Sequence, residues 1–233
     1  MAENIKSSLR DSAVIAIIDI FGITYFSIFT IQCLIFNFPT STEEILHSIA
    51  TLLFGASVVS WCFLSLAHRT MVVFKDARAQ FLQKLEFGSI LFFEFATSLS
   101  FIILQFPDHS TLQLGYTCTL VVVFAAHLVD LLVETADFAR ATNRFPYHCI
   151  ALGLIGMVPV IQALTDPVQD TSPLVSEVIR LVAYNLVGVA QYFGRPLERI
   201  GLFSGWQPSL YSMHALLMFS AVHLSRQLLK ATQ

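Results

Sequence analysis

The sequence predicts an all-α membrane protein, a bundle of seven transmembrane helices with its N-terminus in the cytoplasm and its C-terminus on the opposite side. Three observations carry this. First, 55% of the residues are hydrophobic and 12% are charged, and the mean hydropathy is +0.70. A soluble domain carries roughly 25% charged residues, so half of that cannot cover a water-soluble globule of 233 residues. Second, seven stretches reach the roughly 20 mostly apolar residues that a helix needs to cross a bilayer. Third, Lys and Arg gather on one side of those stretches.

The spans are read at residues 13–36, 46–67, 85–105, 112–133, 147–164, 174–193 and 209–229. Breaker residues fill the connectors: Phe38-Pro39 after the first, Pro107-Asp108 after the third, Pro146 opening the fifth, Pro167 behind it, and Gly194-Arg195-Pro196 closing the sixth. Every connector is short, so residues 1–233 read as one domain with a short cytoplasmic segment, residues 1–12. That segment is polar and the first apolar run is too long for an h-region, which reads as no cleavable signal peptide.

Orientation follows from the basic residues. Lys6, Arg10, Arg69, Lys75, Arg78, Lys84, Arg140, Arg144, Arg195 and Arg199 all fall on the N-terminal side of the membrane. Arg226 and Lys230 fall on the other, whose loops carry the acids Glu43, Glu44, Asp108, Asp166 and Asp170. Arg180 lies inside the sixth span. A net charge of −3 argues against a nucleic-acid partner. Cys33, Cys62, Cys118 and Cys149 form no CxxC pair, so neither a disulfide framework nor a zinc ribbon is encoded. Buried thiols acting as small hydrophobes are the simpler reading.

Direction then assigns depth to the polar groups. His68 ends the second span, with Ser65 one turn back on the same face. Glu86 opens the third span, His127 and Asp130 lie near the end of the fourth, and His214 lies near the start of the seventh. Five ionisable groups thus share one leaflet, where they are expensive and usually face a bundle interior or a polar cavity. A His, carboxylate, His set on three helices would suit Zn²⁺, with water in an open position directed at an ester or amide carbonyl. Residues at helix ends also simply face headgroups. His148 is placed at the interface, and His47, His109 and His223 on the far side. Asp19, Glu94 and Arg180 lie inside spans, Glu94 and Arg180 as a candidate ion pair. Phe-rich stretches read as lipid contact and packing, Trp61 as deeper than an interfacial belt, and Gly55, Gly153, Gly156 and Gly188 as points of close helix approach.

Several motifs recur in an order that resembles one family. They are Asn4-Ile5-Lys6-Ser7-Ser8 before the first span, Phe54-Gly55-Ala56 through Ser65-Leu66-Ala67-His68 in the second, and Lys84-Leu85-Glu86-Phe87-Gly88-Ser89-Ile90 opening the third. Leu152-Gly153-Leu154-Ile155-Gly156-Met157-Val158-Pro159 lies in the fifth, and Glu198-Arg199, Phe203-Ser204-Gly205 and His214 lead into the seventh. In this order the chain resembles the progestin and adiponectin receptor family, heptahelical membrane proteins that include the haemolysin-III-like proteins. The resemblance implies zinc held by His68 and His214, with Glu86 in the place of the family's acid and Ser65 in that of its site serine. It implies zinc-assisted hydrolysis of a ceramide-type lipid amide, with Ser65 and Glu86 assisting, and a membrane lipid or sphingolipid-like ligand. The chain departs from the family where Met218 stands in place of a second span-seven histidine, Ser8 in place of another, and Glu86 in place of aspartate. Thioether sulfur is a weak zinc ligand. The alternative is therefore a non-catalytic receptor or lipid-binding member that has lost the metal. A third expectation is a transporter lined by Asp19, Glu94 and Arg180.

Overall fold

A computed structural model describes residues 2–36, 41–74, 78–107, 109–133, 138–165, 173–201 and 206–231. Phe38-Pro39, Lys75, Asp108, Asp166, Pro167, Asp170 and Phe203-Ser204-Gly205 lie outside the described residues, as do the side chains of residues 4–8, Glu43 and Arg140. The described chain is helical: α1 (Ala2–Phe36), α2 (Thr42–Val73), α3 (Ala79–Gln105), α4 (Ser110–Val133), α5 (Phe138–Thr165), α6 (Pro173–Gly194), the single turn α7 (Pro196–Arg199) and α8 (Pro208–Ala231).

Six of these, α1 to α6, are long and apolar enough to cross a membrane. The last, α8, has 24 residues, or about 36 Å at 1.5 Å per residue, which matches a hydrocarbon core of about 30 Å in length. It is more polar than the other six, because Ser209, Ser212, His214, Ser220 and Ser225 interrupt its apolar run.

The helices overrun the apolar stretches at their polar ends. Ser41 caps α2: its hydroxyl accepts from the Glu44 amide while the Glu44 carboxylate accepts from the Ser41 amide, a reciprocal capping box. α5 begins at Phe138, eight positions before Pro146, which therefore sits inside the helix and does not open it as expected. The bend after α6 does fall at Gly194-Arg195-Pro196: Arg195 takes the left-handed conformation (φ 44°), and Pro196 starts α7 with a favourable fixed φ.

Packing follows helical periodicity. On α1 the buried positions are Asp11, Ile15, Asp19, Gly22, Phe26, Phe29 and Cys33, each four or three residues after the last, a single stripe turned inward. That stripe lies on α2; α2 lies in turn on α3, and α6 lies on α8. The main core joins Phe26, Phe29 and Phe54 to Trp61, Phe93 and Met218, and a smaller cluster of Leu91, Phe95, Leu120 and Leu152 joins α3, α4 and α5. α4 is peripheral, with only Leu120 and Leu131 buried among its residues. Its exposed Val122, Val129 and Val133 form the kind of surface that faces lipid.

Small residues decide where helices approach most closely. A side chain at Gly55 would strike Thr30 and Phe29, and one at Gly156 would strike Ser98. Gly188 lies against Met213 on α8. Gly153, expected to do the same, has nothing within 4 Å of where a Cβ would sit. Gly22, not anticipated from sequence, is tighter than Gly188: a Cβ there would meet the Met218 methyl and lie 2.7 Å from Cys62 Sγ.

The expected ion pair between Glu94 and Arg180 does not form. Arg180, half exposed, donates to Glu177 at 2.9 Å, one turn back on α6. Glu94 lies beside Cys149 of α5.

Candidate functional site

At one end of the bundle, α2 presents Trp61, Ser65, His68 and Arg69 from one face, because the spacings of four, three and one keep them within a narrow arc. α3 contributes Glu86, α8 contributes His214 and α1 contributes Asp19. All seven residues belong to segments whose remaining surface is apolar, so their polar atoms must find partners among themselves or in bound molecules.

Two direct contacts organise the group. His68 Nδ1–H donates to Glu86 Oε2 at 2.6 Å, and both side chains are largely buried. Arg69 Nη2 donates to His214 Nε2 at 3.1 Å. A guanidinium only donates, so Nε2 of His214 must offer its lone pair and the ring hydrogen lies on Nδ1. That Nδ1 is buried and has no protein partner. The imidazole is held flat against Trp61, with centroids 6.1 Å apart and planes inclined by 20°, and the other face of the stack continues to Phe93 at 5.9 Å.

Asp19 is fully buried, and its charge neighbours are Arg69 and Glu86, with Ser65 the nearest hydroxyl. The two carboxylate oxygens of Asp19, Ser65 Oγ, Trp61 Nε1, Arg69 Nε and His214 Nδ1 are all buried without a hydrogen-bond partner in the protein. Buried polar groups of folded proteins are nearly always paired, by protein or by ordered molecules. Six such atoms lie on α1, α2 and α8 at this end of the bundle, where a polar molecule or water would satisfy them.

Of the four residues expected from sequence, His68 and Glu86 meet directly, while Ser65 and His214 lie in the same group. Met218, one turn after His214, is 3% exposed and packs into the main core against Gly22 and Cys62. The sequence puts Arg69 among the loop charges and groups Asp19 with Glu94 and Arg180 inside the spans. The missed signals were periodic. Arg69 is four residues after Ser65, and Asp19 falls on the three–four stripe of α1.

The donors do not converge as a zinc ion needs. Zinc takes a tetrahedral set of ligands at about 2.0–2.3 Å. Here the His214 lone pair is held by a guanidinium, His68 Nδ1 faces Glu86, and the thioether of Met218 is buried in apolar packing. Among the described residues no group of three His, Cys, Asp or Glu side chains gathers to hold a metal. The positive charge of Arg69 at the centre also opposes a divalent cation.

His127 and Asp130, expected in the same leaflet as this site, form a separate group with His148 between α4 and α5. His148, expected at the membrane interface, is buried within the bundle at 5% exposure. Trp206 lies at the foot of α8 with the Arg10 guanidinium 3.9 Å above its ring. Beside it the Tyr211 hydroxyl donates to Asp11, and Glu198 of α7 accepts from the Ser209 amide at 3.1 Å and from its hydroxyl. These contacts tie the starts of α1 and α8 and the α7 turn together below the polar group.

Fold, composition and a buried polar group in one end of the bundle define a multi-pass helical membrane protein. The chain matches no protein-family model and no curated protein.

Proposed function

We propose that the chain is a divergent, adiponectin-receptor-like membrane protein that binds the polar head of a lipid-type amphiphile between α1, α2 and α8 without hydrolysing it. The carrying observation is the Arg69–His214 contact: an internal cation engages the lone pair that a metal would use. Around it, Asp19, Ser65, Trp61 and His214 keep buried atoms without protein partners, three of them able to donate and the carboxylate able to accept. A head group carrying hydroxyl or amide functions would satisfy both kinds, while its chains would lie along the apolar helix faces.

The second reading keeps the hydrolase. His68 and His214 would hold zinc, which would supply an activated water, and Ser65 and Glu86 would assist cleavage of a lipid amide. The short His68–Glu86 contact and the unpartnered Ser65 hydroxyl favour it.

Mass spectrometry of purified protein separates the two. The binding reading expects a stoichiometric amphiphile that is depleted in Asp19→Asn and Ser65→Ala, with no zinc that depends on His68 or His214. One zinc per chain, lost in His68→Ala and His214→Ala, would replace it by the hydrolase reading. Neither lipid nor zinc in the folded wild type would refute both.

A further inference from the structure

A second pair of histidines lies away from the polar group just described. His127 comes from α4, near its end, and His148 from α5, near its start. Their Nδ1 atoms face each other at 2.9 Å, with ring centroids 5.0 Å apart and planes inclined by 66°. Asp130, one turn after His127, brings Oδ2 to 3.7 Å from the opposite nitrogen of His148, Nε2. His148 is buried and Asp130 is half exposed, three residues before the last residue of α4, so the group reaches from the protein interior to the surface.

We propose that His127 and His148 form a two-histidine site for a divalent first-row ion such as Zn²⁺ or Cu²⁺, with Asp130 as the positioning residue. Imidazole suits these ions. Two nitrogens at about 2.05 Å from a tetrahedral ion would be separated by about 3.3 Å, so the observed gap needs to open by only about 0.4 Å. With both Nδ1 lone pairs on the ion, each ring carries its hydrogen on Nε2. For His148 that hydrogen points toward the Asp130 carboxylate, the carboxylate–histidine–metal arrangement that fixes tautomer and ring orientation. Water fills the remaining positions. Charge agrees with this assignment. Two neutral rings and one carboxylate offer a negative environment, whereas the polar group of α1, α2, α3 and α8 is centred on the Arg69 guanidinium. A hydrogen bond between two neutral rings would join α4 to α5 without any ion, and that is the competing explanation of the same geometry.

The test is titration of tag-free, detergent-solubilised full chain with Cu²⁺ alone, read by electron paramagnetic resonance, and with Zn²⁺ alone, read by competition with a chromophoric chelator. The expected wild-type result is one bound ion whose copper spectrum carries coupling to two nitrogens. His127→Gln should leave one nitrogen and weaken Zn²⁺ at least tenfold, and Asp130→Asn should weaken it roughly tenfold with both nitrogens kept. His148 is buried, so His148→Gln can fail to fold; His127→Gln then carries the test. The proposal is overturned by a wild type that binds neither ion at tens of micromolar, or by affinity and spectrum unchanged in His127→Gln. It does not depend on the lipid-binding reading: ion loss in His68→Ala or His214→Ala with His127→Gln unchanged would refute both, and loss only in His127→Gln would sustain the two-histidine site and leave lipid binding to its own test.

Discussion

Arg69 Nη2 lies 3.1 Å from His214 Nε2, joining the end of α2 to the start of α8 through a cation and an imidazole lone pair. The two residues are 145 positions apart. The contact holds the ring in one tautomer and leaves its buried Nδ1–H without a protein partner.

Removing that cation should be costly. Arg69→Met keeps the length of the side chain, removes the guanidinium beside Asp19 and leaves Glu86 with His68 alone as its direct partner. Breaking a buried charge-bearing contact from one side costs about 3 kcal/mol. The expected outcome is a clear fall in Tm in detergent, partly recovered in Arg69→Lys, whose ammonium can donate to one partner but cannot reproduce the planar fork. A Tm unchanged in Arg69→Met would show that the guanidinium is not integrated into the fold.

His68 and Glu86 are expected to act as a pair. In a double-mutant cycle with His68→Ala and Glu86→Gln, the coupling should be about 1–3 kcal/mol, as for a hydrogen bond to a charged group. Additive effects on denaturation would mean that the 2.6 Å contact contributes nothing of its own.

Gly22 and Met218 should be coupled by volume. Gly22→Ala would force its methyl against the Met218 methyl and to 2.7 Å from Cys62 Sγ. Overpacking of that kind costs about 1–3 kcal/mol, and Met218→Ala alone costs about 2–5 kcal/mol through the cavity it leaves. The double variant should be less destabilised than the sum, because the new methyl occupies part of the vacated space. Thermal unfolding of the four proteins decides it.

The fifth helix offers an internal comparison. Gly156→Ala should destabilise, since Ser98 Oγ and Cβ stand in the way, the latter at 3.2 Å, and Ser98→Ala should recover part of the loss. Gly153→Ala, three residues earlier with open space around it, should be neutral or stabilising by up to about 1 kcal/mol through helix propensity. Equal losses at both glycines would contradict the close approach of α3 and α5.

Much of the architecture was legible from one dimension. Hydropathy marks which segments cross a bilayer, because the backbone there must satisfy itself and only apolar side chains tolerate the surroundings. The expected spans fall within α1 to α6 and α8, and the stop at Gly194-Arg195-Pro196 follows from backbone chemistry that the residues carry with them. Pro146 shows the limit of such punctuation, since a proline can also sit within a longer helix.

Composition and hydropathy carry the class, a multi-pass helical membrane protein, and residue counting puts His68, Glu86 and His214 near one end of their helices. Which of the polar groups meet is set by packing. Depth along a helix comes from counting residues, but partnership also needs the rotation of each helix and the identity of its neighbours. Those depend on packing at Gly22, Gly55 and Gly156 and on the Phe26–Phe54–Phe93 core. That packing brought Arg69 to His214 and Asp19 beside Ser65, and it paired His127 with His148 apart from them.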